Sequence, residues 1–427
     1  MKIAYISLGC PKNEIDLEKI LGHLGQDVTI TNSLAEADAT IVNTCAFIEI
    51  AKQESIDTVF DLLQLKEQNP DHKILVTGCL IQRYKDDLVR QIPEIDAFFD
   101  SVDAYVTTQN IKEYLRLNTS PTAPRKRITP DHYAYLKIAE GCDNRCSYCA
   151  IPLIKGSYRS RPFAEIIEEA TWLVDNGVRE LIVVAQDTTH YGHDVGSGKD
   201  IVHLLQALND IPELQWLRLM YTHPAHWTDQ LVEAIASLDR VVPYIEMPIQ
   251  HISDRILRQM GRLVTRSQVE TLIEKFRDRI PNLALRTSLI VGFPGETEKE
   301  FRELCAFVEQ IEFERLGVFT YSREEGTRAF KLQDDVPARL KAQRRDEIME
   351  IQADIAARKN AQWVGRTIDV IVDSIDEKTS LALGRSTWDA PEIDNSVFLS
   401  PAPSVGEIVK VKITRADVYD LYGQVIQ

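Results

Sequence analysis

Three cysteines stand within one short loop, Cys142, Cys146 and Cys149 of "EGCDNRCSYC", directly after the apolar run "YLKIA". The spacing C-x3-C-x2-C lets three thiolates wrap one face of a metal centre, so the fold must present this loop at the end of a strand. The ligand count is informative. A structural zinc site closes its coordination sphere with four ligands, whereas three cysteines on a [4Fe-4S] cluster leave one iron open. No fourth cysteine or histidine follows at finger-like spacing, which favours the open iron. A zinc knuckle borrowing His132 or a distant ligand is the alternative.

The loop lies inside a long alternation of strand and helix. From about residue 132 to 360 the candidate strands are "YLKIAE", "ELIVVAQD", "WLRLMYTHP", "VVPYIEMPIQH", "LALRTSLIVGF" and "ERLGVFTYS", separated by helical stretches such as Phe163 to Asn176 and Thr297 to Gln310. Six such units predict an α/β fold with a partial or complete barrel, its chemistry in the loops after the strands. Arg339 to Gln362 reads as a charged helix leading out.

Residues 1 to about 115 repeat the strand-then-helix pattern on a smaller scale. Leu17, Ile20, Leu21 and Leu24 form one apolar stripe of a helix, with Asn13 read as its N-cap and Asp16 completing an approximate capping box. "ATIVNTC" and "KILVTGC" are further apolar runs, which implies an open, mostly parallel sheet. Cys10, Cys45 and Cys79 each fall just past such a run, where open sheets place their ligand sites.

"RLNTSPTAPRKRITPD", Arg116 to Asp131, reads as a linker, with Arg125, Lys126 and Arg127 solvated and a phosphate contact as the alternative. From Gly365 onward "TIDVIVDSI", "SLALGRS", "EIVKVKITRAD" and "YDLYGQVI" predict a small antiparallel β-barrel. The expected division is 1–116, a linker over 117–131, 132–362 and 363–427.

Composition narrows the chemistry. The chain has seven cysteines, an odd number, and its first residues lack the long apolar core and cleavage site of a signal peptide. A cytoplasmic location is expected, where thiols stay reduced and serve metals or redox chemistry rather than disulfides. No run approaches the roughly 20 apolar residues of a membrane span. The net charge of −16 speaks against gripping nucleic acid through bulk electrostatics and suits a basic partner.

A C-x3-C-x2-C loop after the first strand of a βα barrel resembles the radical S-adenosylmethionine superfamily. With Cys10, Cys45 and Cys79 added, the whole chain resembles its methylthiotransferases. The resemblance implies an N-terminal α/β open-sheet domain, a radical-SAM partial TIM (βα) barrel and a C-terminal TRAM domain. It also implies two [4Fe-4S] clusters, each with an open iron, held by six of the seven cysteines. Cys142, Cys146 and Cys149 would bind S-adenosylmethionine through theirs, and Cys10, Cys45 and Cys79 would hold the cluster that carries or provides sulfur. One S-adenosylmethionine would methylate that sulfur and a second would make the radical.

Within the family, tRNA-modifying members (MiaB type) usually read "GCQMN" where this chain reads "GCPKN", as the ribosomal-protein enzymes (RimO type) do. "GRSTWDAPEID" and "ITRADVYDLYG" resemble the latter's TRAM domain. From Gly365 to Gln427 six Lys or Arg face ten Asp or Glu, a balance poor for RNA and suited to a basic ribosomal protein. The implied reaction is insertion of a methylthio group at the β-carbon of an aspartate in ribosomal small-subunit protein 12. An electron donor such as flavodoxin or ferredoxin is implied with it.

Weaker signals remain. Gln186 resembles a position that meets the methionyl end of the cofactor, and Gly292 and Gly295 in "IVGFPGET" would let backbone approach the adenosyl group. Polar strand ends and a structural turn explain these three as well. Gln250 and His251 end another strand, with a hydrogen-bonded structural histidine the more common role. Ser7 and Asn43 beside the first trio are read as donors to cluster sulfides or as turn caps. Cys305 is read as a core residue. No side chain is assigned a catalytic role.

Overall fold

A computed structural model describes residues 1–426 other than 27, 102, 119, 122 and 197. At the N-terminus, β1 (Lys2–Ser7), β2 (Thr29–Thr31), β3 (Ala39–Thr44), β4 (Lys73–Gly78) and β5 (Ala97–Phe98) make a parallel sheet in the order β2-β1-β3-β4-β5. Its central strands are buried on both faces, which is why "ATIVNT" and "ILVTG" are continuous apolar and small-polar runs. The helices are α1 (Pro11–His23), α2 (Glu49–Gln68), α3 (Cys79–Gln91) and α4 (Ala104–Leu115).

Helix α1 starts three residues earlier than expected. Its N-cap is Cys10, whose side chain makes no capping bond, and Pro11 opens the first turn with its preset φ. Asn13 and Asp16 are therefore inside the helix and take other partners.

The central part begins with β6 (Tyr133–Lys137). A short ladder of β7 (Ala139–Glu140) and β8 (Arg159–Ser160) follows, enclosing α5 (Ile151–Lys155). Then come α6 (Phe163–Asp175), β9 (Glu180–Val184), α7 (Ile201–Asn209), β10 (Trp216–Leu219), α8 (Asp229–Ser237), β11 (Tyr244–Glu246), α9 (Asp254–Gln259), α10 (Arg266–Arg279), β12 (Ala284–Val291), α11 (Glu298–Ile311), β13 (Arg315–Thr320) and α12 (Ala338–Ala361). The strands form two parallel three-stranded sheets, β10-β9-β6 and β11-β12-β13, joined by a bridge between Leu217 and Val241. Among the described residues β6 and β13 do not pair, so this is a partial barrel.

Alternation along the strands sorts the core. Ala134, Leu136, Leu181, Val183, Leu217 and Leu219 pack outward on the helices, in a cluster that also takes Cys305. Tyr133, Tyr135, Ile182, Val184 and Tyr244 point inward, and that inner cluster also contains Ile15 of α1 and Ile371 and Ala390 from the C-terminal part. The barrel is thus filled by residues from both neighbouring parts.

The C-terminal strands β14 (Thr367–Asp376), β15 (Leu381–Ser386), β16 (Val397–Ser400), β17 (Ile408–Ala416) and β18 (Leu421–Val425) close into a barrel, β14-β15-β16-β18-β17. All pairs are antiparallel except β16 with β18, where β16 is a four-residue strand that sequence alternation did not reveal.

The stretch read as a linker is not uniformly solvated. Arg125 is fully buried. Its Nε donates to Glu18 Oε2 at 2.9 Å, and its Nη1 donates to Glu169 Oε1 at 3.0 Å and to the Tyr135 carbonyl at 2.7 Å. A guanidinium can leave water only with such a full set of acceptors, so Arg125 pins α1, α6 and β6 together. Thr119 and Thr122, in the same stretch, lie outside the described residues.

Candidate functional site

Cys10 follows β1, Cys45 follows β3 and Cys79 opens α3 directly after β4, so the three thiols gather at the C-terminal edge of three adjacent parallel strands. Local geometry aims them. Gly9 has φ +94°, and a Cβ there would lie 2.7 Å from Cys45 Cβ and 2.9 Å from its Sγ. Gly78 has φ +102°, and a Cβ there would strike the Thr44 backbone. Ser55 Oγ accepts from the Cys45 N–H at 3.0 Å and donates to the Cys45 carbonyl at 2.8 Å.

The residues of "PKN" complete this frame. Asn13 Nδ2 donates to the carbonyls of Thr44 and Leu8 at 3.0 and 3.3 Å, and its Oδ1 accepts from Cys79 Sγ at 3.5 Å. Asn43 Nδ2 donates to the Asn13 carbonyl at 2.5 Å, which ties β3 to the first turn of α1. Ser7 pairs with Asn43 in the ladder. Lys12 leaves α1 altogether and lays its Nζ 3.3 Å from the centre of the Tyr221 ring, just beyond β10.

The second trio lies on the loop between β7 and α5. Gly141 has φ +77°, and a Cβ there would collide with the Ser157 carbonyl. The loop is stitched to the barrel. The Ser147 N–H donates to the Met260 carbonyl at 2.7 Å, and Ser147 Oγ donates to the Gln259 carbonyl at 2.8 Å. Arg262 Nη1 lies 3.8 Å from Cys146 Sγ, while its Nη2 donates to the Pro248 carbonyl. Asn144 Nδ2 donates to Asp187 Oδ2 at 2.6 Å.

The two trios are neighbours. Cys79, Leu80 and Ile81 of α3 share one apolar cluster with Ala150 and Ile154, which follow Cys149. Lys155 stands near Cys79 and is held by Asp16 Oδ2 at 3.3 Å and Glu140 Oε1 at 3.7 Å. Against burial, Lys137 and Lys155 hold the Glu140 carboxyl down at about 2.

Burial pushes the Cys79 and Cys149 thiols up to about 12 and Cys142 to about 11. Without a metal these sulfurs keep their protons, and binding iron would release them. The donor sets fit clusters rather than single ions. The described donors within 4.8 Å of one another, close enough to share one ion, are Asp187, His223 and His226, and neither cysteine trio is packed that tightly. Three thiols spread at strand ends suit a cubane whose corners are separate irons. In the histidine group most donor atoms already have partners, His223 Nε2 being buried without one. Asp187 accepts from Asn144 and is bonded at 2.8 Å to His226 Nδ1, and His223 Nδ1 accepts from the Ala225 N–H, which leaves the His223 proton on Nε2.

Of the other sequence candidates, Gln186 donates through Nε2 to Glu140 Oε1 at 3.1 Å, and its Oε1 is buried without a partner. Gly292 donates its N–H to Glu296 Oε2 at 2.6 Å, and its bare side is closed by Lys341. Gly295 donates to Asp335 Oδ1 at 2.7 Å. Burial holds His251 neutral, down at about 3, with Nδ1 accepting from the Ser253 N–H. His132 bonds Asp373 Oδ1 at 2.7 Å, and its Nδ1 is likewise buried without a partner.

Sequence reasoning passed over Lys12, Arg262, Asn144 and Asp187. For Lys12 a signal existed: a lysine in a first helical turn opposes the helix dipole, which favours acidic residues there.

Comparison with known proteins agrees with this architecture. Residues 136–308 match the Radical SAM superfamily, residues 2–100 the Uncharacterized protein family UPF0004, and residues 364–426 the TRAM domain. The chain is 46% identical to the ribosomal protein uS12 methylthiotransferase RimO of Desulforamulus reducens, over 100% of this chain and 99% of that one. For the proteins of the same name from Geobacter sulfurreducens and Aquifex aeolicus the identity is 44%, covering 100% and 99% of this chain and 98% and 97% of theirs. Among solved structures, the radical S-adenosylmethionine methyltransferase TsrM of Kitasatospora setae shares the fold, with a TM-score of 0.56 at 14% identity over 77% of this chain and 73% of that one. The cobalamin-dependent S-adenosylmethionine radical enzyme OxsB does so with a TM-score of 0.52 at 11% identity, over 83% and 56%.

Proposed function

This chain belongs to the uS12 methylthiotransferase family of radical S-adenosylmethionine enzymes, and on that premise we propose that it inserts a methylthio group at the β-carbon of an aspartate in ribosomal protein uS12. The observation that carries the reading is the adjacency of two cysteine trios, one at the edge of an open sheet and one in the mouth of the barrel, joined through α3 and α5.

Cys10, Cys45 and Cys79 would hold one [4Fe-4S] cluster, and Cys142, Cys146 and Cys149 would hold the other, which would bind S-adenosylmethionine. When bound, these groups supply the sulfur and a radical able to remove a hydrogen atom from an unactivated carbon. The protein's own work is placement. Asn13 and Ser55 fix the first trio, Arg262 offers a positive charge beside Cys146, and Asp187 orients Asn144 in the second loop. Gln186, whose Oε1 is buried without a partner, would offer that oxygen to the cofactor. Gly292 and Gly295 shape the turn after β12. The inner cluster of Tyr135, Val184 and Met220, capped by Ile15, keeps water from beneath the site.

Cysteine replacement separates the two trios. Anaerobic reconstitution should give roughly eight irons per chain. Changing Cys142, Cys146 or Cys149 to Ala should abolish cleavage of S-adenosylmethionine. Changing Cys10, Cys45 or Cys79 to Ala should leave cleavage but no sulfur transfer. Four irons in the intact chain, or equal loss of cleavage from both sets, contradicts the division.

A further inference from the structure

Lys12 is 8% exposed and stands in the first turn of α1, where the helix dipole already disfavours a cation. Its side chain crosses to the barrel and rests on the face of Tyr221. Tyr221 is held in the left-handed region, φ +59°, by donation of its N–H to Glu246 Oε2 at 2.7 Å and by acceptance from the Thr188 N–H at 3.0 Å. A non-glycine residue kept in that region is characteristic of a site whose surroundings over-determine it.

The other buried cations near the mouth are committed. Lys137 and Lys155 bind Asp16 and Glu140, and Arg286 binds Asp394 and Glu246. Arg262 sits beside Cys146 of the second trio. Among the described residues no carboxylate lies within 4.0 Å of Lys12 Nζ. Its neighbours are the Tyr221 side chain, Cys10 and, beyond ion-pair distance, the Glu246 carboxylate, which already binds Arg286 and the Tyr221 N–H; a buried ammonium without a carboxylate in contact is an incomplete pair.

We infer that Lys12 supplies the counter-charge for the carboxylate of the residue being modified, and so makes the site selective for an acidic side chain. The inference rests on the reaction proposed above. The carbon that receives sulfur must stand between the two trios, and in aspartate that carbon bears the carboxylate, which must leave water with it. Lys12, two residues from Cys10 and reaching the end of β10, is placed to receive it. The rival role is that of counter-charge to the sulfur centre at Cys10 alone.

The test compares equilibrium affinities of the reconstituted full-length enzyme for purified uS12 and for uS12 with its target aspartate changed to asparagine. Overall charge attraction is nearly common to both, so their ratio isolates the local contact. The wild-type enzyme should favour the aspartate form by on the order of tenfold to a hundredfold. Lys12→Met should bring the ratio to about one, and Lys12→Arg should retain part of it. Because affinity is read, a Lys12→Met protein that holds less iron is compared with wild-type protein of equal iron content. A wild-type ratio near one overturns the proposal. An unchanged ratio in Lys12→Met overturns it too and assigns Lys12 to Cys10. If uS12 gains no methylthio group from the wild-type enzyme, it is the underlying reaction that fails.

Discussion

Glycine precedes Cys10, Cys79 and Cys142, and in each pair it has a positive φ. At Gly141 the strain and the lack of room coincide, since any Cβ would meet the Ser157 carbonyl. Gly141→Ala should cost about 1–3 kcal/mol and lower bound iron to roughly half, read by thermal melting and iron assay. Gly177→Ala is the control: φ is +97° there, but nothing lies within 4 Å, so iron should stay unchanged. Equal iron loss in both would detach the glycine from the cluster loop. A second residue-scale prediction concerns Glu140. Its carboxyl is held at about 2, below its ordinary value near 4.5, so it adds stability above pH ~4.5 that is withdrawn as pH falls toward 2. In cluster-free protein Glu140→Gln should therefore flatten the acid limb of the melting curve between those values, and an unchanged limb would contradict the pairing. That Cys10, Cys79 and Cys142 stand just past strand ends was legible in the sequence. Their backbone requirement was not, because φ follows from what the chain is packed against.

At the scale of elements, α1 does more than cover its own sheet. One face packs on β1 and β3, Ile15 enters the barrel, and Asp16 binds Lys137 and Lys155. The apolar stripe Leu17, Ile20, Leu21 and Leu24 announced the first face. The second face is polar and charged, and its burial depends on partners more than a hundred residues away, which no local periodicity encodes. The same holds for Arg125, which looks solvated beside Lys126, Arg127 and prolines until Glu18 and Glu169 are brought to it. Arg125→Met leaves two buried carboxylates short of a cation and should cost about 3–5 kcal/mol in thermal or denaturant unfolding. A loss below about 1 kcal/mol would show that α1, α6 and β6 are held by apolar packing alone.

Across the whole molecule, the acidic balance after Gly365 serves the fold as well as any partner. Asp373 binds His132 and Arg385, Asp389 binds Arg315, and Asp394 binds Arg286 and Tyr244. Glu180 completes the seam by binding both Arg218 and Arg385. The charges counted in sequence as a docking signal for a basic protein are thus partly spent against the barrel, an outcome invisible before the two surfaces meet. Truncation after residue 362 should consequently expose Tyr133, Trp216 and Tyr244 and leave an aggregating barrel. A soluble, monomeric fragment on gel filtration would contradict this. The three-part architecture, by contrast, was readable from strand spacing, because each part repeats one local pattern. Whether this assembly places a methylthio group on a ribosomal protein is decided by intact-mass analysis of uS12 after incubation with the reconstituted enzyme, S-adenosylmethionine and a reductant. A mass increase of one methylthio group that maps to an aspartate is expected. Unmodified uS12, with methylthio-adenosine appearing instead in tRNA treated in the same way, would contradict it.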